Sequence, residues 1–268
     1  MYAFDYKRPQ TVDEALAALA GEGAQLLAGG MSLVPVMRHR LAAPGCLIDL
    51  NRIAALRAIS VTADTVRIGA MATHASVAAS AEVRAAIPAL ALLAGGIGDP
   101  LVRKRGTIGG SLANNDPAAC YPSALLGLGG TVITNRRSIP GDDYILGTFQ
   151  TALEPGEIIL AVDFPIPDQA VRIKFENFGS RFSIVGLFLT RTKGKVRIGV
   201  TGAGQCAFRL TAMEQALDHV FRPEAALAVT ISPAELLTDI HADAEYRAHL
   251  ITELSSRAVA QCLGNNEA

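Results

Sequence analysis

The sequence predicts an α+β chain built from three successive units, and three observations carry that prediction. Strand and helix patterns alternate within roughly the first 50 residues. Alternating strand patterns and alanine-rich helices then fill positions 56–168. A proline pair follows, ahead of three strands and a long helical tail. With 268 residues, 50% of them hydrophobic, the chain can bury one large core or two to three smaller ones.

In the first unit, about 1–55, residues 2–6 read as a short strand. Thr11-Val12-Asp13-Glu14 then satisfies a capping box ahead of an apolar helix that reaches Ala20 and is ended by Gly21 and Gly23. Positions 25–28 form a buried strand running into Gly29-Gly30. Ser32 is placed to cap a short helix with Pro35 in its first turn, and 46–49 make a third strand. Short helical crossovers favour parallel pairing, so this is a small, mainly parallel layer.

The second unit, 56–168, opens with strands at 56–59 and 66–69. Thr73 caps an alanine-rich helix to Ile87, and Pro88 starts another. A glycine-rich stretch covers 95–110, a helix lies around 123–128, and strands follow at 131–135 and 158–164. Phe164-Pro165-Ile166-Pro167-Asp168 reads as a linker, because two prolines oppose helix continuation and central strand pairing. The third unit, 169–268, has strands at 171–178, 184–191 and 196–201, then helix to Cys262.

Composition narrows the function. The 24 basic residues nearly balance the 25 acidic ones, so no strong field recruits nucleic acid or an anionic membrane. No signal-peptide pattern opens the chain, and no run of ~20 apolar residues offers a membrane span, which predicts a cytoplasmic location. Cys46, Cys120, Cys206 and Cys262 lie too far apart in sequence to form a chelating pair, and the five histidines show no ligand spacing. No metal site is therefore predicted, and metal centres in an electron-handling system would sit on another chain.

Two glycine turns carry the chemistry. In Leu27-Ala28-Gly29-Gly30-Met31-Ser32-Leu33 a strand breaks at paired glycines and enters a helix, so main-chain amides can approach a diphosphate. No Lys or Arg lies between Gln25 and Met37, leaving those amides and the Ser32 hydroxyl to meet the charge. An ordinary tight connection is the alternative for one such pair. The second turn, Thr107-Ile108-Gly109-Gly110-Ser111, adds hydroxyls, with Asn114, Asn115 and Asp116 beyond it. That set suits phosphate, ribityl and ribose groups, and two such turns could grip one dinucleotide from opposite sides. Arg103-Lys104-Arg105 reads equally as a solvated run or a functional one. Gly202-Ala203-Gly204-Gln205-Cys206-Ala207 nominally fits a dinucleotide fingerprint but reads as a strand-to-helix turn, since no acidic parallel strand follows.

These motifs, with Phe4-Asp5-Tyr6-Lys7-Arg8-Pro9, Leu47-Ile48-Asp49-Leu50-Asn51 and Arg105-Gly106 leading into the second turn, resemble the FAD-binding subunit of the xanthine oxidase and carbon monoxide dehydrogenase family of molybdenum hydroxylases. The resemblance covers nearly the whole chain. It implies a PCMH-type FAD-binding fold of two subdomains, a small α/β one and a larger one with a mixed or antiparallel sheet, followed by a C-terminal α+β domain. It also implies non-covalent FAD, a large partner subunit holding the molybdenum cofactor and substrate, and a small partner subunit with two [2Fe-2S] clusters, assembled as a dimer of heterotrimers.

Carried over by motif, Leu27, Ala28, Gly29, Gly30, Met31, Ser32 and Leu33 would wrap the diphosphate. Thr107, Ile108, Gly109, Gly110, Ser111 and Asn114 would contact the diphosphate and ribityl region. Cys120 stands where many relatives present an aspartate to the ribose, so Asp116 or water would substitute. Gln25 stands where relatives often carry lysine. Lys174 is carried over from the segment after the linker, in which Arg181 replaces a frequent aspartate. The rival readings are a self-sufficient flavin oxidoreductase, whose acid-base candidates would be Tyr121, Tyr144 and Asp116, and a non-redox nucleotide-binding scaffold.

Overall fold

A computed structural model describes residues 1–264; the last four positions of the expected third unit, 265–268, lie outside the described residues. The chain folds around three hydrophobic cores that follow one another along the sequence.

The first core lies under a three-stranded parallel sheet, β1 (Asp5–Lys7), β2 (Ala24–Leu27) and β3 (Cys46–Asp49), with β3 in the middle and all four of its residues buried. Helices α1 (Val12–Leu19) and α2 (Leu33–Arg38) make the crossovers. The capping box forms in part. Thr11 Oγ1 accepts the Glu14 amide at 3.1 Å, while the Glu14 carboxylate reaches back one residue further than expected, to the Gln10 amide at 2.7 Å. Ser32 does not cap α2: its backbone is already helical, so its hydroxyl makes no cap bond.

The second core is the largest. Its antiparallel sheet runs β4 (Ile59–Val61), β5 (Thr65–Gly69), β10 (Ile159–Pro165), β6 (Thr131–Thr134) and β7 (Ser138–Pro140). Between β7 and β10 lie the single turn α9 (Gly141–Tyr144) and the hairpin β8 (Ile145–Gly147) and β9 (Gln150–Thr151). The expected strand at 56–59 starts later, because residues 54–57 wind into a 3-10 turn. The single helix expected at 73–87 is two, α3 (His74–Ala79) and α4 (Ala81–Ala86), broken where the Ser80 hydroxyl caps the second. After α5 (Pro88–Gly95), the glycine-rich stretch contains α6 (Pro100–Arg105) and leads into α7 (Ile108–Asn114), capped by Asp99 and Thr107. Helix α8 (Cys120–Gly127) is buried along its whole length.

The third core packs α10 (Thr211–His219), α11 (Pro223–Leu227) and the long α12 (Ala244–Cys262) on an antiparallel sheet. Its strands are β11 (Gln169–Glu176), β12 (Ser183–Thr192), β13 (Lys195–Thr201) and β14 (Phe208–Arg209). The linker expected at 164–168 is shorter. Phe164 is core, and Pro165 still pairs with Thr65 as the last residue of β10, where the lost amide interrupts no ladder beyond it. Gly202 carries a φ of +83° and abuts the backbone of Ser183 and Ile184, as a packed turn requires. The chain after it runs into β14 before reaching α10.

Candidate functional site

One cleft of about 660 Å³ opens where the three units meet, a volume within the usual range for a small-molecule site. Leu27, Ala28, Gly29, Gly30, Met31, Ser32 and Leu33 line it from the first unit. Thr107, Gly109, Gly110, Ser111, Asn114, Asp116 and Cys120 line it from the second. Two expected residues do not. Ile108 is fully buried in the second core. Lys174 is drawn away by the C-terminus of α5, where its Nζ donates to the Gly96 carbonyl at 3.0 Å and to the Arg181 carbonyl at 2.8 Å while pairing with Glu176 at 2.7 Å.

The two glycine turns touch. A Cβ on Gly29 would run into the Arg105 carbonyl, and one on Gly110 would stand 3.4 Å from the Ala28 Cβ. Gly30 takes a φ of +75°, a conformation open to glycine with little strain. The first turn is bracketed from β3. Asn51 Nδ2 donates to the Ala28 carbonyl at 3.0 Å and to Asp49 Oδ1 at 2.6 Å, and Asp49 also accepts from Asn51 N and the Tyr6 hydroxyl. Burial would raise the Asp49 pKa, but the bonds from Tyr6 and Asn51 outweigh it and hold the carboxyl below its usual range. Among the described residues, no acceptor meets the amides of Gly29, Gly30, Met31, Ser32 or Leu33.

The second turn is different. Ile108 N donates to the Ala72 carbonyl at 3.1 Å, Gly109 N to Ala70 at 2.9 Å, Gly110 N to Thr107 Oγ1 at 3.1 Å and Ser111 N to the Thr107 carbonyl at 3.0 Å. The expectation that both turns offer main-chain amides therefore fails for this one. Its contribution to the cleft is the Ser111 and Asn114 side chains and the space left by Gly109 and Gly110. Asp116 Oδ1 accepts the Ala118 amide at 2.8 Å, and Cys120, at the N-terminus of α8, sits 3.9 Å from Ser183 Oγ.

Several lining residues carried no signal in the sequence. His74 is buried beside the Tyr121 ring, and burial together with Arg103 lowers its pKa to about 4. Glu157 is salt-bridged to Arg137 at 3.0 Å and held at about 2 by that partner. Ser180, Arg181 and Phe182, from the β11–β12 turn, complete the wall. Arg181 is the one Lys or Arg among the described lining residues, and Gln25 lines the cleft without charge. Arg103 is spent on the Ile97 and Gly98 carbonyls at 3.0 and 2.8 Å. Tyr121 is sealed off, and Tyr144 donates to the Leu112 carbonyl at 3.2 Å; burial raises both pKa values.

Free amides at a strand-to-helix turn, glycines without side chains and unpaired hydroxyl and amide groups fit a dinucleotide. Residues 2–167 match the family described as the FAD binding domain in molybdopterin dehydrogenase. The chain belongs to that family. It is thus an FAD-binding oxidoreductase component with an α+β fold. It is 36% identical to the nicotine 6-hydroxylase medium subunit of Paenarthrobacter nicotinovorans, covering 97% of both chains. It is 34% identical to the carbon monoxide dehydrogenase medium chain of Hydrogenophaga pseudoflava, over 96% of each. The structure of quinoline 2-oxidoreductase from Pseudomonas putida 86 superposes with a TM-score of 0.90 at 28% identity, covering 98% of both chains. Among the described residues, no helix is long and apolar enough to cross a membrane.

Proposed function

We propose that this chain is the electron-transfer subunit of a heteromeric molybdenum hydroxylase, holding FAD non-covalently in the cleft. It takes electrons from [2Fe-2S] clusters on a small partner and passes them to an external acceptor. A large partner subunit holds the molybdenum cofactor and the organic substrate, and the complex is a cytoplasmic dimer of heterotrimers. Residues 1–168 make the FAD-binding unit, divided near residue 55, and 169–268 the C-terminal domain. The observation that carries the reading is the first glycine turn, whose amides face a cleft with no protein acceptor and whose carbonyl is tethered by Asn51. Full-length similarity to proteins named as medium subunits and medium chains supports the assembly.

Bound FAD supplies a redox centre able to exchange electrons singly or in pairs. The chain's own residues bind and orient it. The amides of 29–33 meet the diphosphate, Ser111 and Asn114 hydrogen-bond the adjoining ribityl region, and Asp116, its Oδ2 open, accepts a ribose hydroxyl in place of the thiol of Cys120. A self-sufficient oxidoreductase would need an acid-base group on the cleft. Of the acid-base candidates the sequence offered, Tyr121 and Tyr144 are enclosed and Asp116 is given to the ribose, which favours electron transfer. Isolating the complex with its natural partners and measuring flavin absorbance, iron and molybdenum tests the proposal. A colourless chain, or one that never co-purifies with an iron-sulfur subunit, refutes it.

A further inference from the structure

His74 opens α3 and is only 5% exposed, yet its imidazole has no hydrogen-bond partner among the described residues. Nδ1 is enclosed and unpaired. Nε2 lies 2.5 Å from where a side-chain carbon would stand on Gly106. Gly106 has a φ of −59°, which any residue adopts, so the backbone does not demand glycine there. What the missing Cβ does is leave the space in front of Nε2 open, and both His74 and Gly106 line the cleft. Gly29 packs against the backbone of Arg105 and Gly106, which puts this gap beside the first glycine turn.

Nε2 has no protein partner among the described residues either and, unlike the enclosed Nδ1, borders the gap at Gly106, so it is the nitrogen of this ring that a ligand can reach. A neutral imidazole has one donor and one acceptor nitrogen, and the ring beside it, Tyr121 at 5.4 Å between centroids, carries an equally unpaired hydroxyl. An enclosed, unpaired donor is rarer than an enclosed, unpaired acceptor, which puts the proton on Nε2, facing the cleft. Arg181 is the one Lys or Arg among the described lining residues, and a neutral donor at His74 adds to the amides without bringing a charge that must be desolvated.

We propose that His74 is a cofactor-contacting residue, its Nε2–H donating through the gap at Gly106 to an oxygen of FAD. The inference rests on FAD occupying the cleft. Nothing in the family match or the named relatives assigns this role to His74.

The test is a double-mutant cycle on the assembled complex, with FAD affinity read from flavin fluorescence and apo stability from thermal melting. His74→Leu removes the donor, and Gly106→Ala keeps the imidazole but fills the gap with a methyl 2.5 Å from Nε2, so the ring must shift off it. Each should weaken FAD binding about three- to tenfold, the worth of one hydrogen bond. The double variant should lose little more than either alone, because both changes remove one contact. His74→Gln, which keeps a donor at the end of the side chain, should recover part of the loss and serves where His74→Leu does not fold. FAD bound as tightly by the His74→Leu or the Gly106→Ala protein as by wild type, or losses that add in full, overturns the proposal. A wild-type complex without FAD would sink the cofactor assignment instead, which keeps the two failures apart.

Discussion

The two glycine turns look alike in sequence and behave differently in the fold. The turn at 27–33 keeps five amides without a protein acceptor, whereas the turn at 107–111 gives its amides to Ala70, Ala72 and Thr107. Gly30 is needed for a positive φ; Gly109 is needed because a Cβ there would stand 2.6 Å from the Ala70 Cβ. A Gly-Gly pair at the start of a helix therefore signals either an open set of donors or a close packing contact. Only the position of neighbouring carbonyls separates the two.

The sharpest way to break this comparison is at the contact between the turns. Gly29→Ala places a methyl against the Arg105 carbonyl, where backbone must move, so a loss of about 1–3 kcal/mol in stability is expected together with loss of FAD. An unchanged melting temperature would show that the turns do not bear on one another. Next comes Gly30→Ala, which forces an L-residue to a φ of +75° at about 1–2 kcal/mol. Flavin absorbance should fall with it, and full flavin content would mean that the first turn is not the diphosphate seat.

A smaller effect should come from Glu157, a carboxylate on the cleft wall. Glu157 pins the second unit through Arg137 and Thr134, as Asp49 brackets the first turn. Its folded pKa, about 2, lies below the ordinary 4.5, so its stabilisation is fully present above pH 4.5 and is lost as pH falls through 2. The carboxylate side chain is wholly buried, so the loss should be visible in acid unfolding curves, and Glu157→Gln should flatten them between those limits. Parallel curves for the two proteins would exclude the ion pair as the cause. The smallest effect is Ser111→Ala, which removes one unpaired hydroxyl from the cleft. FAD affinity should drop about three- to tenfold with melting of the apo chain unchanged. A destabilised apo chain with normal affinity would make Ser111 a structural residue.

Much of the fold was legible because its signals are local. Thr11 and Thr73 cap the helices expected of them, and the parallel order of the first sheet follows from short helical crossovers. The break at Ser80 and the cap at Asp99 are also local signals, obscured by the alanine run and the glycine-rich composition around them. In the site, fourteen of the sixteen expected residues line the cleft. The misses have non-local causes: Ile108 faces the core from the first position of a helix, and Lys174 is held by the carbonyl at the end of α5.

By itself, the sequence determined the cap residues, the glycine pairs, the strand and helix periods and the charge balance, since each depends on a residue and its near neighbours. Which amides stay open, which cation reaches the cleft and that His74 faces it through Gly106 were decided only by the tertiary structure. A hydrogen-bonding group is satisfied or left free by partners that the fold brings from elsewhere in the chain, and burial then sets how strongly an unpaired group favours a ligand.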